Sequence, residues 1–191
     1  IRTTGDGIWI SHCSNASFNR LKITGSQNYA VDAGNENVGF YIIGSAMTAP
    51  TDISITDSVI ENFNYGIEQR SNESSRNVVI NSTTFNNLFR AIKLCYDEDG
   101  GLGSVNTMTV SNSIFDSIAA TGIIARNSVN IISSFNSYKD VGANYLGSPD
   151  ENNNYPLIDF GDNSTGCLTI GDQFTRTVEE NISYPWVLGN E

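Results

Sequence analysis

"ISITDSVIENFNYGI" (residues 53–67) and "VVINSTTFNNLFRAI" (78–92) carry apolar residues at matching places, although the polar residues between them differ. Each begins with two apolar residues two positions apart, which is the alternation typical of a β-strand. Each ends with a small residue followed by Ile, where a second short strand can begin. The two stretches therefore predict the same succession of short strands in two successive repeats.

The repeat continues along the chain as "MTVSNSIFDSIAATGI" (108–123) and, less regularly, as "VNIISSFNSYKDVGA" (129–143). No stretch of 10–15 residues shows the 3.6-residue period of an amphipathic helix. Short strands, turns rich in Asn, Ser and Gly, and a period of about 20–30 residues predict a solenoid of β-coils. A single coil cannot bury its own apolar residues, so we expect about six or seven coils stacked on one another.

Two turn positions of the repeat are occupied by short polar residues in three of the copies. The first position holds Asp57, Ser82 and Asn112, and the second holds Asn62, Asn87 and Ser117. Stacked coils place like residues above one another, so that their amides and hydroxyls can bond along the stack. We interpret these residues as structural and not as a binding site.

The stretch "GIWISHCSNASFNRLKITGSQNYAV" (7–31) and the repeats above resemble the coils of right-handed parallel β-helix proteins. That superfamily includes pectate-lyase-like enzymes and bacteriophage tailspikes and tail fibres, and the resemblance covers residues 7 to about 145, extending towards Arg176. It implies an all-β, right-handed parallel β-helix over residues 1–176. Residues 177–191 are then expected to form a C-terminal capping or subunit-contact tail. The chain opens on Ile1 without a leader sequence, and we expect it to be a fragment of a longer protein.

The composition of the chain argues against several classes of function. Ten basic and 21 acidic residues give a net charge of −11, which argues against nucleic acid as a partner. No apolar run approaches the roughly 18 residues that span a bilayer, so no membrane insertion is expected. Three cysteines without a CxxC pair and the lone His12 give no metal constellation. An acidic surface suits a virion surface or an extracellular location.

Charged residues follow the small-residue–Ile pair on neighbouring repeats. Glu68 and Lys93 occupy equivalent positions there, so we expect them about 5 Å apart on one outer face of the solenoid. In the chemical interpretation Glu68 is a catalytic acid or base, and Lys93 with Arg126 binds an anionic sugar. In the structural interpretation Glu68 and Lys93 form a ladder salt bridge on this outer face and the arginines are solvated, and each contributes little energy.

The stretch "CYDEDGGLGSVN" (95–106) lengthens one coil and is both acidic and rich in glycine. It is either a solvated turn, a calcium loop or a source of catalytic carboxylates. We expect no cofactor. A bound calcium ion is the one alternative, although calcium needs six or more oxygen ligands. Asp97 or Asp99 together with Glu68 is the best carboxylate pair for a glycosidase. The Asn-Thr-Asp, Asp-Asp, Gly-His-Gly and Arg-Ile-Lys signatures of polygalacturonase-like enzymes do not occur in the sequence.

Two tryptophans are candidates for stacking on sugar rings. Trp9 is predicted to face outward from a strand, and Trp186 lies in the C-terminal tail. For Trp186 the alternative is structural, because the open end of a solenoid must be covered by a cap or by a subunit contact.

The resemblance implies two classes of function. In the first, the chain is a segment of a bacteriophage tail fibre or tailspike that contacts host-surface polysaccharide, expected as a homotrimer. In the second, it is a polysaccharide-degrading enzyme, a lyase or a glycoside hydrolase, that uses the carboxylates above. A bacterial surface adhesin of the same fold is a further alternative, because the repeat encodes stacking and not function.

Overall fold

The computed structural model describes most of the regular part of the chain. The described residues are 1–11, 13, 15–26, 37–43, 52–70, 77–94, 107–125, 130–141, 158–159 and 166–175. Within them the chain forms strands and turns and no α-helix. Consequently, no helix of this part is long and apolar enough to cross a membrane.

The described residues form eighteen β-strands, most of them three to six residues long. In chain order they are β1 (Ile8–Ile10), β2 (Ala16–Asn19), β3 (Lys22–Thr24), β4 (Val38–Ile43), β5 (Asp52–Thr56), β6 (Val59–Glu61), β7 (Tyr65–Arg70), β8 (Asn77–Asn81), β9 (Thr84–Leu88), β10 (Arg90–Leu94), β11 (Thr107–Ser111), β12 (Ile114–Ile118), β13 (Ile123–Ala125), β14 (Asn130–Ser134), β15 (Ser137–Val141), β16 (Ile158–Asp159), β17 (Gly166–Ile170) and β18 (Gln173–Thr175).

Every third strand joins the same sheet, and strands within a sheet run parallel. Sheet 1 has the order β1-β4-β7-β10-β13-β16, sheet 2 the order β2-β5-β8-β11-β14-β17, and sheet 3 the order β3-β6-β9-β12-β15-β18. This arrangement is a parallel β-helix, which confirms the fold predicted from the repeats. Six strands of one sheet are joined by five turns of the chain, so the described solenoid is slightly shorter than the predicted six or seven coils.

The core consists of like residues stacked in register from coil to coil. In sheet 3, Phe85 pairs with Phe115 and Phe115 pairs with Tyr138. Their ring centroids lie 4.9 Å and 4.5 Å apart, and all three rings are buried. Burying such a side chain contributes roughly 1.5–3 kcal/mol, and offset stacking adds to that value. Stacking therefore explains why a large apolar residue recurs at this place of the repeat.

The corners between sheets explain the two polar turn positions. Both sets of residues have backbone φ angles near +50° to +65°, the left-handed region in which Asn, Asp and Gly are the least costly residues. The corner between sheets 2 and 3 contains Arg20, Asp57, Ser82, Asn112, Phe135 and Gly171, and the corner between sheets 3 and 1 contains Asn62, Asn87, Ser117 and Asp140.

Side-chain bonding between coils is present at both corners, but not always within one column. The Asn87 amide donates to Asn62 Oδ1 over 2.7 Å, as the stacking interpretation predicts. The Asn112 amide instead donates to Asn81 Oδ1 over 2.9 Å, and Asn81 lies one place before the corner. The polar turn residues are therefore structural, because they provide both the left-handed backbone and bonds between coils.

Sheet 1 begins at a place where coils approach closely. A Cβ atom added to Gly66 would lie 2.6 Å from the carbonyl oxygen of Ala91 and 3.0 Å from Leu88 Cδ1 and Phe85 Cδ1. A larger side chain has no room at this corner. The small residue that precedes Ile in each repeat is therefore required by packing between coils.

A buried polar ladder follows the corner between sheets 2 and 3 and was missed in the sequence. The Thr83 N–H donates to Ser113 Oγ over 3.1 Å, and the Ser113 N–H donates to Asn136 Oδ1 over 2.9 Å. The Asn136 N–H in turn donates to Asp172 Oδ1 over 2.8 Å. Each side chain thereby satisfies a buried backbone donor of the preceding coil, which would otherwise cost free energy.

Candidate functional site

Sheet 1 carries a row of outward-facing residues that runs along the solenoid. From Tyr41 to Ile124 each member follows a buried core residue in its strand and therefore projects from the opposite face, and Trp9 and Asp159 share the row by strand register. In register, the row is Trp9, Tyr41, Glu68, Lys93, Ile124 and Asp159. The predicted equivalence of Glu68 and Lys93 is confirmed by this pairing. We call these residues the sheet 1 row.

The N-terminal end of the row presents an aromatic side chain to solvent. Trp9 is 61% exposed, and its indole N–H donates to Asp6 Oδ2 over 3.1 Å. The other Asp6 oxygen accepts the backbone N–H of Val38 over 3.0 Å, which ties the carboxylate to the next coil. The Trp9 and Tyr41 rings meet edge to face, with centroids 5.1 Å apart and planes at 76°. These contacts hold an exposed aromatic ring beside a carboxylate.

The middle of the row is buried. Glu68 Oε1 lies 2.9 Å from Lys93 Nζ, with 0% of the Glu68 side chain and 3% of the Lys93 side chain exposed. The Lys93 ammonium also lies 4.3 Å from the centroid of the Tyr65 ring, within the range of a cation–π contact. The structural interpretation treated this pair as a surface salt bridge, and the structure differs in that respect. Alternation within a strand identifies the outward face but not whether that face is covered.

Burial also determines the protonation behaviour of the row. The pKa of Glu68 is raised, because loss of solvation penalises its carboxylate more than the Lys93 charge and hydrogen bond favour it. The pKa of Tyr41 is raised as well, first by burial and then by the negative charges of Glu68 and Asp6. Glu68 therefore holds a proton more readily than a surface glutamate. It has no exposed surface, however, through which a substrate could touch it.

Four other predicted site residues are not described by the structure. Asp97, Asp99, Arg126 and Trp186 lie outside the described residues, so the carboxylate pairs of Glu68 with Asp97 or Asp99 stay predictions. The possible calcium stretch 95–106 lies outside them too. Among the residues that the structure does describe, no group of three or more His, Cys, Asp or Glu side chains could hold a metal ion.

Sheet 2 carries a shallow groove of about 430 Å³ on its outer face, across strands β2, β5, β8 and β11. Polar side chains bond to one another along it, from Ser54 Oγ to Ser17 Oγ over 2.9 Å and from the Asn77 amide to Asp52 Oδ1 over 2.7 Å. The signal in the sequence was the short polar residues at outward strand positions. These polar groups bond to each other, and the groove is also lined by the exposed apolar side chain of Val79.

Comparisons of the chain with protein-family models, with curated proteins and with solved structures found no match. The fold and the sheet 1 row alone define the class of protein, which is a parallel β-helix solenoid with an exposed aromatic–carboxylate site at one end of sheet 1.

Proposed function

We propose that the chain is a β-helical segment of a bacteriophage tail fibre or tailspike, and that it contacts host-surface polysaccharide through Trp9, Tyr41 and Asp6. The observation that carries the contact is the exposed Trp9 ring, which is held in place by Asp6 and Tyr41. The phage assignment rests on the resemblance of the repeats to those of tailspikes. A homotrimer on the virion surface is part of the same proposal.

The chemistry of the exposed end suits a sugar. The C–H faces of a pyranose ring pack against an aromatic face, and its hydroxyls donate to a nearby carboxylate, so one apolar and one polar group suffice to orient it. Trp9 provides the face, and Asp6 provides the acceptor. Both belong to the first described coil, on a rigid scaffold of stacked strands. A solenoid of this kind can hold a sugar-binding site at a distance from the phage particle.

Charge favours a neutral glycan over an anionic one. The chain carries a net charge of −11, which disfavours approach of an acidic polymer. Lys93, expected to bind an anionic sugar, is 3% exposed and paired with Glu68. We therefore expect a polysaccharide with few or no acidic sugars to be retained most strongly.

The enzyme alternative depends on Glu68 and on carboxylates beyond the described residues. The raised pKa of Glu68 is a property of many catalytic acids, but structural ion pairs show it too. Burial of Glu68 against Lys93 supports a structural role. The binding proposal and the enzyme alternative therefore differ in whether the polymer is cut.

The test is a panel of bacterial capsular and O-antigen polysaccharides incubated with the protein, with retention, chain length and ultraviolet absorbance followed together. We expect retention without shortening, and a loss of at least about tenfold in affinity for Trp9→Ala. Ile114→Ala removes another exposed apolar side chain, on sheet 3, and is the matched control that should bind normally. Shortening that Glu68→Gln abolishes would overturn the binding proposal in favour of the enzyme.

Normal retention by Trp9→Ala would refute the proposed contact site even if the protein binds a glycan. Retention alone does not separate a phage fibre from a bacterial adhesin. A tail-attachment domain encoded in the same gene would support the phage assignment, whereas a signal peptide encoded there would support the adhesin.

A further inference from the structure

The last two coils expose an apolar patch at the corner between sheets 2 and 3. Ile132, Phe135 and Ile170 are 37%, 64% and 45% exposed, and the Phe135 N–H donates to the Ile170 carbonyl over 2.8 Å. We call these three residues the C-terminal apolar patch. Large exposed apolar side chains that lie together on a surface indicate a contact with another segment or molecule.

The same places on earlier coils are mostly polar, so the patch is not a requirement of the coil. The Ile132 place is occupied by Ser17, Ser54, Val79 and Thr109. The Ile170 place is occupied by Asn19, Thr56, Asn81, Ser111 and Ser134. At the Ile170 place the change from polar to apolar residues thus occurs only on the last described coil, and at the Ile132 place Val79 is an earlier apolar residue.

Phe135 provides an independent observation. Its φ of 55° places a bulky aromatic residue in the left-handed region, at a corner where other coils have Arg, Asp, Ser, Asn or Gly. That conformation costs a non-glycine residue about 1–2 kcal/mol. A Cβ atom added to Gly171 on the next coil would lie 2.8 Å from the Phe135 ring. Phe135 is therefore tolerated at a local cost, with a glycine opposite that makes room for it.

We propose that the C-terminal segment 177–191 folds back and covers the C-terminal apolar patch with the side chains of "YPWVL" (184–188). The patch then is the docking surface of the chain's own tail. Trp186 contributes an apolar contact to Phe135 and Ile170, and it does not stack on a sugar.

The length of the tail permits this contact. Strand β18 ends at Thr175 on sheet 3, directly after the corner that contains Gly171. The eleven residues from Arg176 to Trp186 span at most about 3.3–3.6 Å each when extended. Neighbouring coils lie only about 4.8 Å apart, so Phe135 is well within reach. A second copy is a less suitable occupant, because a segment tethered to the same solenoid binds intramolecularly and at a higher effective concentration.

The last described strands of sheets 2 and 3 have edges that a tail at the C-terminal apolar patch protects. Among the described residues, β17 and β18 pair only with β14 and β15, so their other edges are the last of sheets 2 and 3. Uncovered edges of this kind invite pairing with other chains. A tail held by the patch next to these edges protects them, which is a structural role independent of polysaccharide binding.

Trp9 and Trp186 are the only two tryptophans, and this makes a direct test possible. In a Trp9→Phe background the fluorescence reports Trp186 alone. We expect emission blue-shifted from that of the urea-unfolded protein, with weak quenching by acrylamide. Adding Phe135→Asn should shift the emission to the red and increase quenching several-fold. Asn occupies the same corner at position 112, so this variant keeps the backbone conformation and should fold.

Val79→Asn in the same background is the matched control, because Val79 is an exposed apolar residue of sheet 2 outside the patch. It should leave the Trp186 emission unchanged. Emission that already equals that of the unfolded protein before Phe135 is changed would overturn the proposal. Equal responses to Phe135→Asn and Val79→Asn would overturn it as well. Sedimentation that shows an oligomer lost with Phe135→Asn, at constant Trp186 emission, would assign the patch to a second copy instead.

Discussion

Glu68 Oε1 lies 2.9 Å from Lys93 Nζ in a pair that is almost fully buried, although both side chains project from the outward face of sheet 1. A second pair, Asp116 with Lys139, joins neighbouring coils of sheet 3 over 3.2 Å, but it is partly exposed. These two ion pairs therefore have similar geometry in very different surroundings. We expect burial to determine how much each pair contributes to the free energy of unfolding.

Lys93→Met should lower the free energy of unfolding by about 3 kcal/mol or more, because it leaves the Glu68 carboxylate buried without its ammonium partner. Lys139→Met should cost less than about 1 kcal/mol, since exposed pairs contribute little. Urea denaturation of both variants at neutral pH measures the difference. Equal losses would contradict the difference in burial between the two pairs.

The pH dependence of stability should reveal the raised pKa of Glu68. An unfolded glutamate titrates near 4.5, and the folded protein holds the Glu68 proton more tightly than that. Protonation thus favours folding, so the contribution of Glu68 is most favourable below about pH 4.5 and decreases as pH rises through the folded pKa. The difference in unfolding free energy between the natural chain and Glu68→Gln should fall across that window.

The pKa of Glu61 is shifted in the opposite direction, so its contribution to stability should change with pH in the opposite sense. Burial raises its pKa, but hydrogen bonds from Lys22 and Thr24 outweigh burial and lower the pKa below 4.5. Its contribution is present above pH 4.5 and is lost as pH falls through the folded pKa. The difference between the natural chain and Glu61→Gln should therefore rise with pH. Parallel trends for the two variants would contradict these assignments.

Gln69 should be replaceable with a gain in stability. It is fully buried and pairs with Ile42 in sheet 1, and no described residue forms a hydrogen bond with its amide nitrogen or its amide oxygen. Such a group costs about 1–3 kcal/mol, so Gln69→Met should raise the free energy of unfolding by that order. Gln173→Met, at an exposed position of β18, should change it little. A loss of stability in Gln69→Met would show that the amide is satisfied in solution.

The fold was predictable because stacking imposes its pattern on the sequence. Residues such as Ile55 and Ile80 occupy one column, and each buries its neighbour, so spacing repeats even where identity does not. The place of Glu68 beside Lys93 followed from the same alignment. The residues that cover an outward face need not recur at a fixed spacing, so the sequence pattern does not reveal them. The burial of this pair was therefore missed.

The exposed end of the sheet 1 row was only partly predictable. Alternation in β1 placed Trp9 on the outside, but its contact with Asp6 depends on a turn whose geometry has no repeat. Phe135 was missed because a left-handed corner predicts a small or polar residue there. Departures from a rule have to be seen in the structure before they can be interpreted.

Asn87 combines a left-handed backbone, φ 51°, with an amide that donates to Asn62 Oδ1 over 2.7 Å. Asn87→Ala should lower the free energy of unfolding by about 1–2 kcal/mol, because alanine loses the bond and tolerates this backbone poorly. Asn87→Gly should lose less, since glycine adopts the left-handed region without steric cost. Asn86→Ala, one residue earlier in strand β9, is the control and should stay within about 0.5 kcal/mol of the natural chain. Urea denaturation of the three variants separates the two causes, because equal losses for alanine and glycine at position 87 would assign the whole effect to the hydrogen bond between coils and none to the backbone.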